Sequence, residues 1–360
     1  MPPADTPLPA ASAAGELLMV GIPGPTLDAA TEEYLNKIKP LGVILFARNT
    51  PDRETLLKLT SDLRDLLPGV LLAIDHEGGR VDRLPAPFTH LPPALTMARK
   101  ADPAMLRDAG TLHAAELRAA GFDIDFAPVL DVHTNPDNPI IGDRAFGTTP
   151  EEVAHFALPY IQGLAEGGLL GCAKHFPGHG DTASDSHLEL PVLSAATHDL
   201  RRIRELELRP FSRAIAQGVP MIMTAHILVE AFDRELPATL SPRMIDGCLR
   251  NELGYKGFVV SDDLEMKAVA DHWGVGPSAV MAIQAGCDAC LVCVTTDAAL
   301  QAHDALAAAI EDGKIERFTL SKIAGRRDKL LRRARKHNKV PRDTTCIGNA
   351  AHTELASRLA

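Results

Sequence analysis

Residues 174–187 concentrate side chains that can perform acid–base or metal chemistry. This fourteen-residue segment contains three histidines, two aspartates and a lysine. Pro177, Gly178 and Gly180 exclude a helix through its middle, and the apolar residues 169–173 before it predict a buried strand. The polar groups therefore lie at a strand end and on the loop that follows, where α/β enzymes carry their chemistry.

Asp185 and His187, in the second half of this segment, are candidates for an acid–base pair. Only one residue separates them, so in an extended or turn segment the carboxylate can reach an imidazole nitrogen. Such a contact fixes the tautomer and adjusts imidazole basicity near neutral pH, as general acid–base catalysis requires. The two residues alone leave open a turn-stabilising aspartate beside a solvent-facing histidine.

Two further carboxylates, Asp262 and Asp263, end the apolar run at 257–261. Neighbouring side chains on a strand point to opposite faces, so one carboxylate can face the mouth of a cavity. A rigidly held carboxylate is the nucleophile that covalent glycoside hydrolysis needs. We assign Asp262 to chemistry and Asp263 to N-capping of the following helix.

Metal binding is the rival chemistry for residues 174–187. The candidate ligands are His175, His179, Asp181, Asp185 and His187. The two histidines at 175 and 179 have the spacing of a helical zinc site, but the proline and glycine between them break the helix. Metal-dependent barrel hydrolases of the amidohydrolase type carry His-x-His after strand one, whereas here the first apolar run ends in Ile22-Pro23-Gly24-Pro25. We therefore expect no metal and no cofactor in the reaction.

Three cysteines, Cys287, Cys290 and Cys293, have the spacing of an iron–sulfur ligand set. Cys290 and Cys293 lie within the apolar run 289–294, which predicts a strand. Residues three apart on a strand point to opposite faces, so Cys290 and Cys293 cannot hold one cluster. We expect reduced thiols in the core instead.

Eight short apolar runs recur along the chain, with helical patterns between them. The runs are 17–22, 42–46, 70–74, 122–126, 169–173, 221–224, 257–261 and 289–294. Near-continuous hydrophobicity is typical of parallel strands covered on both faces. The alternation predicts a single-domain α/β fold, a (β/α)8 TIM-type barrel, over residues 15–340. Residues 1–14 are expected to form a flexible leader and residues 341–360 a loose C-terminal tail.

A basic run at residues 326–339 ends the predicted barrel. It is a candidate for anion binding. The apolar residues at helical spacing favour a last helix with its charges in solvent. The residues expected to pack on the barrel are Leu320, Ile323, Leu330 and Leu331.

Other polar side chains follow the ends of the predicted strands, and barrel enzymes act at that rim. They include Asp75, Glu77, Arg80 and Arg83 after the third run, Asp131 and Arg144 after the fourth, and His226 after the sixth. A purely structural rim would not need so many charged groups.

Composition and charge exclude several classes of protein. The 360 residues carry a net charge of -10, which argues against a nucleic-acid partner. No apolar run approaches the ~18 residues of a membrane span, so we expect no membrane partner. The N-terminus lacks the basic and apolar regions of a signal peptide. We expect a cytoplasmic monomer that acts on a small molecule.

Six ordered motifs, spread over about residues 17–335, carry most of these polar groups. They are Ile74-Asp75-His76-Glu77-Gly78-Gly79-Arg80-Val81-x-Arg83; Phe126-Ala127-Pro128-Val129-Leu130-Asp131; Asn135-Pro136-x-Asn138-Pro139-x-Ile141-Gly142-x-Arg144-x-Phe146-Gly147; Lys174-His175-Phe176-Pro177-Gly178-His179-Gly180; Asp185-Ser186-His187; and Ser261-Asp262-Asp263-Leu264-x-Met266. Together they resemble the NagZ-type β-N-acetylglucosaminidases of glycoside hydrolase family 3. The chain departs from many relatives at His76, Glu265 and Lys267. These differences affect the surroundings of the catalytic groups more than the class of reaction.

The resemblance implies a retaining, metal-free mechanism. Asp262 would be the nucleophile, and His187 would be the acid/base in place of the usual carboxylic acid, with Asp185 as its partner. The implied sugar-binding residues are Asp75, Arg83, Arg144, Lys174 and His175. The implied substrate is a terminal β-linked N-acetylglucosamine, notably on the anhydro-muropeptides of peptidoglycan recycling.

Two alternatives stay open beside this expectation. One is a family 3 β-glycosidase of broader specificity, or a glycoside phosphorylase that uses phosphate in place of water. The other is a barrel that binds sugar without catalysis. The Asp-x-His pair and the end of the chain after the predicted barrel favour the one-domain form over the related β-glucosidases, whose additional domain supplies a carboxylate.

Overall fold

The computed structural model describes residues 9–182, 185–186, 188–337 and 343–360. Within these ranges, eight parallel strands form a closed barrel in consecutive order. The strands are β1 (Leu18–Gly21), β2 (Gly42–Leu45), β3 (Leu71–Ile74), β4 (Ile124–Asp125), β5 (Leu170–Phe176), β6 (Met221–Thr224), β7 (Phe258–Asp263) and β8 (Ala289–Val292). Each predicted run supplies one strand, so the predicted (β/α)8 barrel is confirmed.

The helices pack around this barrel. They are α1 (Ala10–Gly15), α2 (Ala29–Ile38), α3 (Arg53–Leu66), α4 (Ala94–Lys100), α5 (Pro103–Ala120), α6 (Pro150–Glu166), α7 (Leu200–Glu205), α8 (Leu208–Ala216), α9 (Lys267–Trp273), α10 (Val275–Ala285), α11 (Thr296–Glu311), α12 (Arg317–His337) and α13 (Ala350–Leu359). A π-helix covers Arg243–Glu252, and 3-10 turns cover Ala47–Asn49, Gly142–Arg144, Ala238–Leu240 and Thr344–Cys346. Two short strands in the loops, Val192–Leu193 and Leu228–Val229, pair in parallel.

Local sequence explains where several of these helices begin. Asp52 precedes α3, and its side chain accepts a hydrogen bond from the amide of Thr55. Thr149 and Glu152 form a capping box before α6, with Pro150 in the first turn. Capping side chains satisfy amides that a helix start leaves without partners.

Both faces of the barrel strands are buried, as the apolar runs predicted. In β1, Leu18 and Val20 pack in the large outer core with the helices, whereas Met19 lies in a separate inner cluster with Ile44 and Leu71. The cysteines follow the same alternation, because Cys290 is in the outer core and Cys293 in the inner cluster. The prediction that these two thiols point to opposite faces is confirmed.

Helix α12 closes the N-terminal end of the barrel. Its Leu330 and Ala334 belong to the inner cluster, and Ile323 is buried in the outer core. Leu320 and Leu331 are partly buried against these clusters. The predicted packing of the basic helix is therefore confirmed.

One ion-pair cluster fixes this helix to the barrel strands. Asp288 is fully buried just before β8 and accepts from Arg250 Nη2 at 2.7 Å and from Arg326 Nε at 2.6 Å. It also accepts from the amide of Val259 at 2.8 Å. The buried carboxylate is thus fully compensated, as a buried charge requires.

The predicted boundaries of the leader and the tail need correction. Residues 10–15 form α1, Ala14 is fully buried, and the carbonyl of Ala11 accepts from His303 at 3.0 Å. At the other end, α13 buries Leu359, and His352 bonds to Glu116 at 2.7 Å. The sequence left these helices out because each is short, and their stability comes from docking rather than from intrinsic propensity.

Membrane insertion through a helix finds no support in the structure. Across the part of the chain that the structure describes, no helix is both long enough and apolar enough to cross a bilayer.

Because α12 closes the N-terminal end of the barrel, truncating a buried residue of this helix should destabilise the protein more than truncating an exposed one. Leu330→Ala should lower the free energy of unfolding by about 2–5 kcal/mol, because truncation of a buried leucine leaves a cavity. Phe318→Ala is the matched control, since Phe318 is 65% exposed on the same helix and should cost no more than about 1 kcal/mol. Urea denaturation measures both. Equal losses would show that α12 does not seal the barrel.

Candidate active site

One pocket at the C-terminal ends of the strands gathers the predicted site residues. It has a volume of about 310 Å³. Among its lining residues are Asp75, Arg83, Arg144, Lys174, His175, Asp185 and Asp262. His187 lies outside the described residues, so its predicted role stays a prediction. The sequence therefore predicted seven residues that five different loops and strands bring to one cavity.

A larger groove of about 610 Å³ lies at the opposite end of the barrel, beside α12. Its lining includes Lys256, Lys329 and Arg333 but no carboxylate. Barrel enzymes carry their chemistry at the C-terminal rim, and of these two cavities the smaller is the one whose described lining combines carboxylates with histidines. The smaller pocket is therefore the candidate active site.

A buried ion-pair network forms one wall of the pocket. Lys174, at the end of β5, is 2% exposed, and its Nζ lies 2.6 Å from both Asp75 Oδ1 and Glu77 Oε1. Arg144 forms a bidentate ion pair with the same glutamate, with Nε and Nη2 each 2.8 Å from a carboxylate oxygen. Glu77 thus joins the loops after β3 and β4 to the end of β5.

The charges in this network reinforce one another. Burial alone would raise the pKa of Glu77, but Arg144 and Lys174 outweigh it and hold that pKa far below its usual range. Burial alone would lower the pKa of Lys174, but Asp75 and Glu77 outweigh it and raise that pKa. Glu77, Arg144 and Lys174 are therefore ionised at neutral pH and present fixed charges to a ligand.

Glu77 is the most important residue that the sequence did not assign to the site. It stands two positions after Asp75, in the same motif. Its importance depends on two cations from distant segments, Arg144 and Lys174, and no spacing in the sequence shows that pairing.

Asp262 lies at the end of β7 and is held as a carboxylate. Its Oδ1 accepts from the backbone amide of Asp263 at 2.8 Å. Burial pushes its pKa up, but His175, His226, that amide and Lys174 together lower it below its ordinary value. A carboxylate ionised at neutral pH and fixed on a rigid strand can act as a nucleophile.

Asp263 does not cap the following helix, which corrects the sequence prediction. Helix α9 begins at Lys267 after Met266, without a side-chain cap. Asp263 Oδ1 instead accepts from the amides of Glu265 at 3.1 Å and Cys293 at 3.2 Å. Burial, with a contribution from Glu265 and Asp262, raises the pKa of Asp263 to about 7. The residue ties the end of β7 to the end of β8.

Asp131 organises the start of the loop after β5. Its Oδ2 lies 2.7 Å from His175 Nδ1, and its Oδ1 accepts from the amides of His175 at 3.2 Å and His179 at 2.7 Å. The carboxylate thus orients the ring of His175, which lines the pocket.

His179 fastens two parts of the same loop. Its Nδ1 lies 2.7 Å from Thr182 Oγ1 and its Nε2 lies 3.1 Å from Ser186 Oγ. Burial lowers its pKa to about 4, so the ring is neutral and both contacts are ordinary hydrogen bonds. His179 therefore holds Ser186, the neighbour of Asp185.

The four candidate metal ligands that the structure describes do not converge on one point, and the fifth, His187, lies outside the described residues. His175 and His179 both contact Asp131, whereas Asp181 contacts His198 and Arg202 at 2.5 Å each. Asp185 lines the pocket, and its carbonyl oxygen accepts from the amides of Leu188 and Glu189.

The geometry of the pocket agrees with the outcome of comparison with known proteins. The sequence matches the glycosyl hydrolase family 3 N terminal domain over residues 12–330. The chain belongs to glycosyl hydrolase family 3. A β-hexosaminidase of Methylococcus capsulatus is 42% identical over 294 residues, which cover 80% of this chain and 86% of that protein. A β-hexosaminidase of Alkalilimnicola ehrlichii is 43% identical over 283 residues, covering 77% and 80%.

Solved family 3 structures share the fold. The family 3 β-N-acetylglucosaminidase from Paenibacillus sp. str. FPU-7 matches with a TM-score of 0.92 at 37% identity, covering 98% of this chain and 68% of that chain. NagZ from Neisseria gonorrhoeae in complex with N-trifluoroacetyl-D-glucosamine matches with a TM-score of 0.77 at 31% identity, covering 96% and 98%. The protein is a family 3 glycoside hydrolase, similar to β-hexosaminidases.

The buried pairing of Glu77 predicts a pH-dependent contribution to stability. The folded-state pKa of Glu77 lies below the ordinary glutamate pKa of 4.5, so the contribution is complete above pH ~4.5 and is lost as the pH falls towards the folded-state pKa. Glu77→Gln should cost about 3–5 kcal/mol at pH 7, because it leaves two buried cations undercompensated.

Urea denaturation between pH 7 and pH 3 measures this contribution. The difference between wild type and Glu77→Gln should narrow below pH ~4.5. The control is Glu166→Gln, since Glu166 pairs with Arg107 on the surface and should cost at most about 1 kcal/mol. A pH-independent difference would mean that charge compensation is not what Glu77 provides.

Proposed function

We propose that this family 3 enzyme is a retaining exo-β-N-acetylglucosaminidase that acts through a covalent glycosyl–Asp262 intermediate. The observation that carries the proposal is the ionised carboxylate of Asp262, fixed at the end of β7 in a pocket of about 310 Å³. A pocket of this size suits one terminal sugar residue rather than a polymer chain. The similarity to β-hexosaminidases supports N-acetylglucosamine as that sugar.

In the first step, a carboxylate oxygen of Asp262 attacks the anomeric carbon while the bond to the glycosidic oxygen breaks. The imidazolium of His187 gives its proton to the departing oxygen, so the aglycone leaves as an alcohol. In the second step, neutral His187 takes a proton from a water that attacks the same carbon and releases the carboxylate. Two inversions at one carbon retain the β configuration. The role of His187 rests on its place in the sequence and on the family resemblance.

Asp185 is the proposed partner that orients His187. It lines the pocket, and the next residue, Ser186, is held by His179. General acid–base catalysis requires an oriented imidazole, and a carboxylate held at the pocket is suited to that role.

The residues proposed to contact the sugar differ in the hydrogen-bonding groups that they offer. Asp75 offers a carboxylate acceptor and Lys174 an ammonium donor on the same wall. Arg83 Nε is buried without a hydrogen-bond partner among the described residues, so a sugar hydroxyl would satisfy it. A hydrogen bond to a charged group contributes about 1.5–3 kcal/mol. Arg144 already donates to Glu77 and to the carbonyl of Ile140, so much of its role is to hold the wall in place.

The proposed natural substrate is a muropeptide with a terminal N-acetylglucosamine, cleaved during peptidoglycan recycling. We further propose that the enzyme acts in the cytoplasm as a monomer. The six motifs shared with the NagZ-type enzymes support this assignment, as does the similarity in fold to NagZ from Neisseria gonorrhoeae.

The proposed specificity predicts a strong preference between two sugars. An aryl β-N-acetylglucosaminide should be hydrolysed with a kcat/KM at least about 10²-fold above that of the β-glucoside with the same aryl group, because a polar group of the site loses its partner when the amide is missing. NMR should show the β-anomer of N-acetylglucosamine as the first product. Comparable rates would favour a broader β-glycosidase, and N-acetylglucosamine 1-phosphate formed in phosphate buffer would reveal a phosphorylase.

The two catalytic roles predict different dependence on the leaving group. Asp262→Ala should abolish turnover of every substrate. His187→Ala should slow a poorly activated alkyl glycoside by about 10²–10⁴-fold but spare glycosylation by a dinitrophenyl glycoside, which needs little protonation.

With the dinitrophenyl substrate, the covalent intermediate should accumulate in His187→Ala, and azide should restore turnover because it needs no base. Asp185→Ala should give a milder form of the same pattern. Equal slowing of both substrates without azide rescue would reduce His187 to a positioning residue. Mass spectrometry of the trapped intermediate identifies the attached residue.

A further inference from the structure

A cluster of three potential ligands lies on the outer side of the loop that carries Asp185. Asp181 belongs to that loop, His198 lies just before α7, and Glu207 lies just before α8. Among the described residues, one oxygen or nitrogen from each of these three side chains lies within 4.8 Å of the others. We refer to these three residues as the Asp181 cluster. It takes no part in the chemistry proposed above.

Glu207 is the observation that points to a ligand. It is 3% exposed, and neither of its carboxylate oxygens has a hydrogen-bond partner among the described residues. A buried carboxylate without a partner is costly, and such groups in native proteins call for an ion, a water or a ligand. Burial raises its pKa to about 7, which agrees with this lack of compensation.

The active-site loop approaches Glu207 closely at Gly178. Gly178 has a φ of +133°, and a Cβ built there would lie 2.9 Å from Glu207 Cβ. The glycine therefore permits close approach of the loop to the glutamate. The loop that carries Asp181 and the residue before α8 therefore lie in direct contact.

We propose that the Asp181 cluster binds a divalent transition-metal cation of the zinc type. Two carboxylates and one imidazole form a ligand set that suits such cations, and water would complete a four-coordinate site. His198 is oriented for this role, since its Nδ1 contacts Thr197 Oγ1 at 2.8 Å and its Nε2 faces Asp181. The second nitrogen of a metal-binding histidine is commonly held in this way.

Arg202 occupies part of the position that the cation would take. Its Nη2 lies 2.5 Å from Asp181 Oδ2, and its side chain is 42% exposed. An arginine that is nearly half exposed can turn into solvent at little cost, and the cation then supplies the positive charge that it removes. The bound cation would link the loop after β5 to the starts of α7 and α8 without touching the sugar.

Isothermal titration of the metal-free full-length enzyme with zinc chloride tests the proposal. Wild type should bind one equivalent that His198→Ala and Glu207→Gln lose or bind at least about 10-fold more weakly. His155→Ala is the matched control, because His155 is an exposed histidine on α6 and should leave the equivalent intact. One equivalent of zinc should also raise the Tm of wild type and of His155→Ala, but not of His198→Ala.

The pocket also contains histidine and aspartate, so the titration is repeated with saturating N-acetylglucosamine. Zinc binding that persists in saturating sugar but is lost in His198→Ala supports a site at the Asp181 cluster. Zinc that is displaced by sugar and retained in His198→Ala would overturn the proposal and place the metal in the active site. Unchanged zinc affinity in both cluster variants would also overturn the proposal, as would the absence of zinc binding by wild type. Arg202 and His198 alone would then compensate the negative charge of Asp181. Anomalous scattering at the zinc edge from wild-type crystals decides the position without any variant.

Discussion

Lys174 is the residue on which the rest of the site depends. Its ammonium group is buried at the end of β5 and lies 2.6 Å from carboxylates that follow β3. Arg144 adds a second cation to Glu77, so four charged groups compensate one another in a place with little water. Buried charges are stable only in such fully paired arrangements, which makes the wall rigid and its geometry specific. A sugar hydroxyl therefore meets donors and acceptors that are already oriented.

The same electrostatic environment determines the protonation state of the proposed nucleophile, Asp262. Burial alone would favour a protonated Asp262, but His175, His226 and Lys174 lower its pKa and keep it ionised. Burial, with a contribution from Glu265 and Asp262, instead raises the pKa of Asp263, one position further along, to about 7. Adjacent carboxylates on one strand thus have different proton affinities because they face different surroundings.

The two ends of the barrel have different roles: one end contributes to stability, and the other carries the chemistry. Leu330 and Ala334 of α12 close the N-terminal end, and Asp288 fixes this helix through Arg326. At the C-terminal end, polar side chains such as Asp131 and His179 fasten the loops that carry the site residues. This division allows the loop that carries Asp185 to bind a ligand, and in our proposal a cation, without disturbing the core.

The sequence by itself determined the barrel and most of the pocket. Apolar runs with helical segments between them can bury both faces only as parallel strands, and the polar groups that follow such strands must meet at one rim. Only the tertiary structure decided which charges pair: that Glu77 joins Arg144 to Lys174, that Asp263 binds the amide of Cys293 instead of a helix start, and that Asp181 turns towards His198. It also decided that α1 and α13 dock on the barrel. The reason is physical, since periodicity reports which face of an element is buried, whereas a hydrogen bond or an ion pair depends on the positions of two side chains that are far apart in the chain.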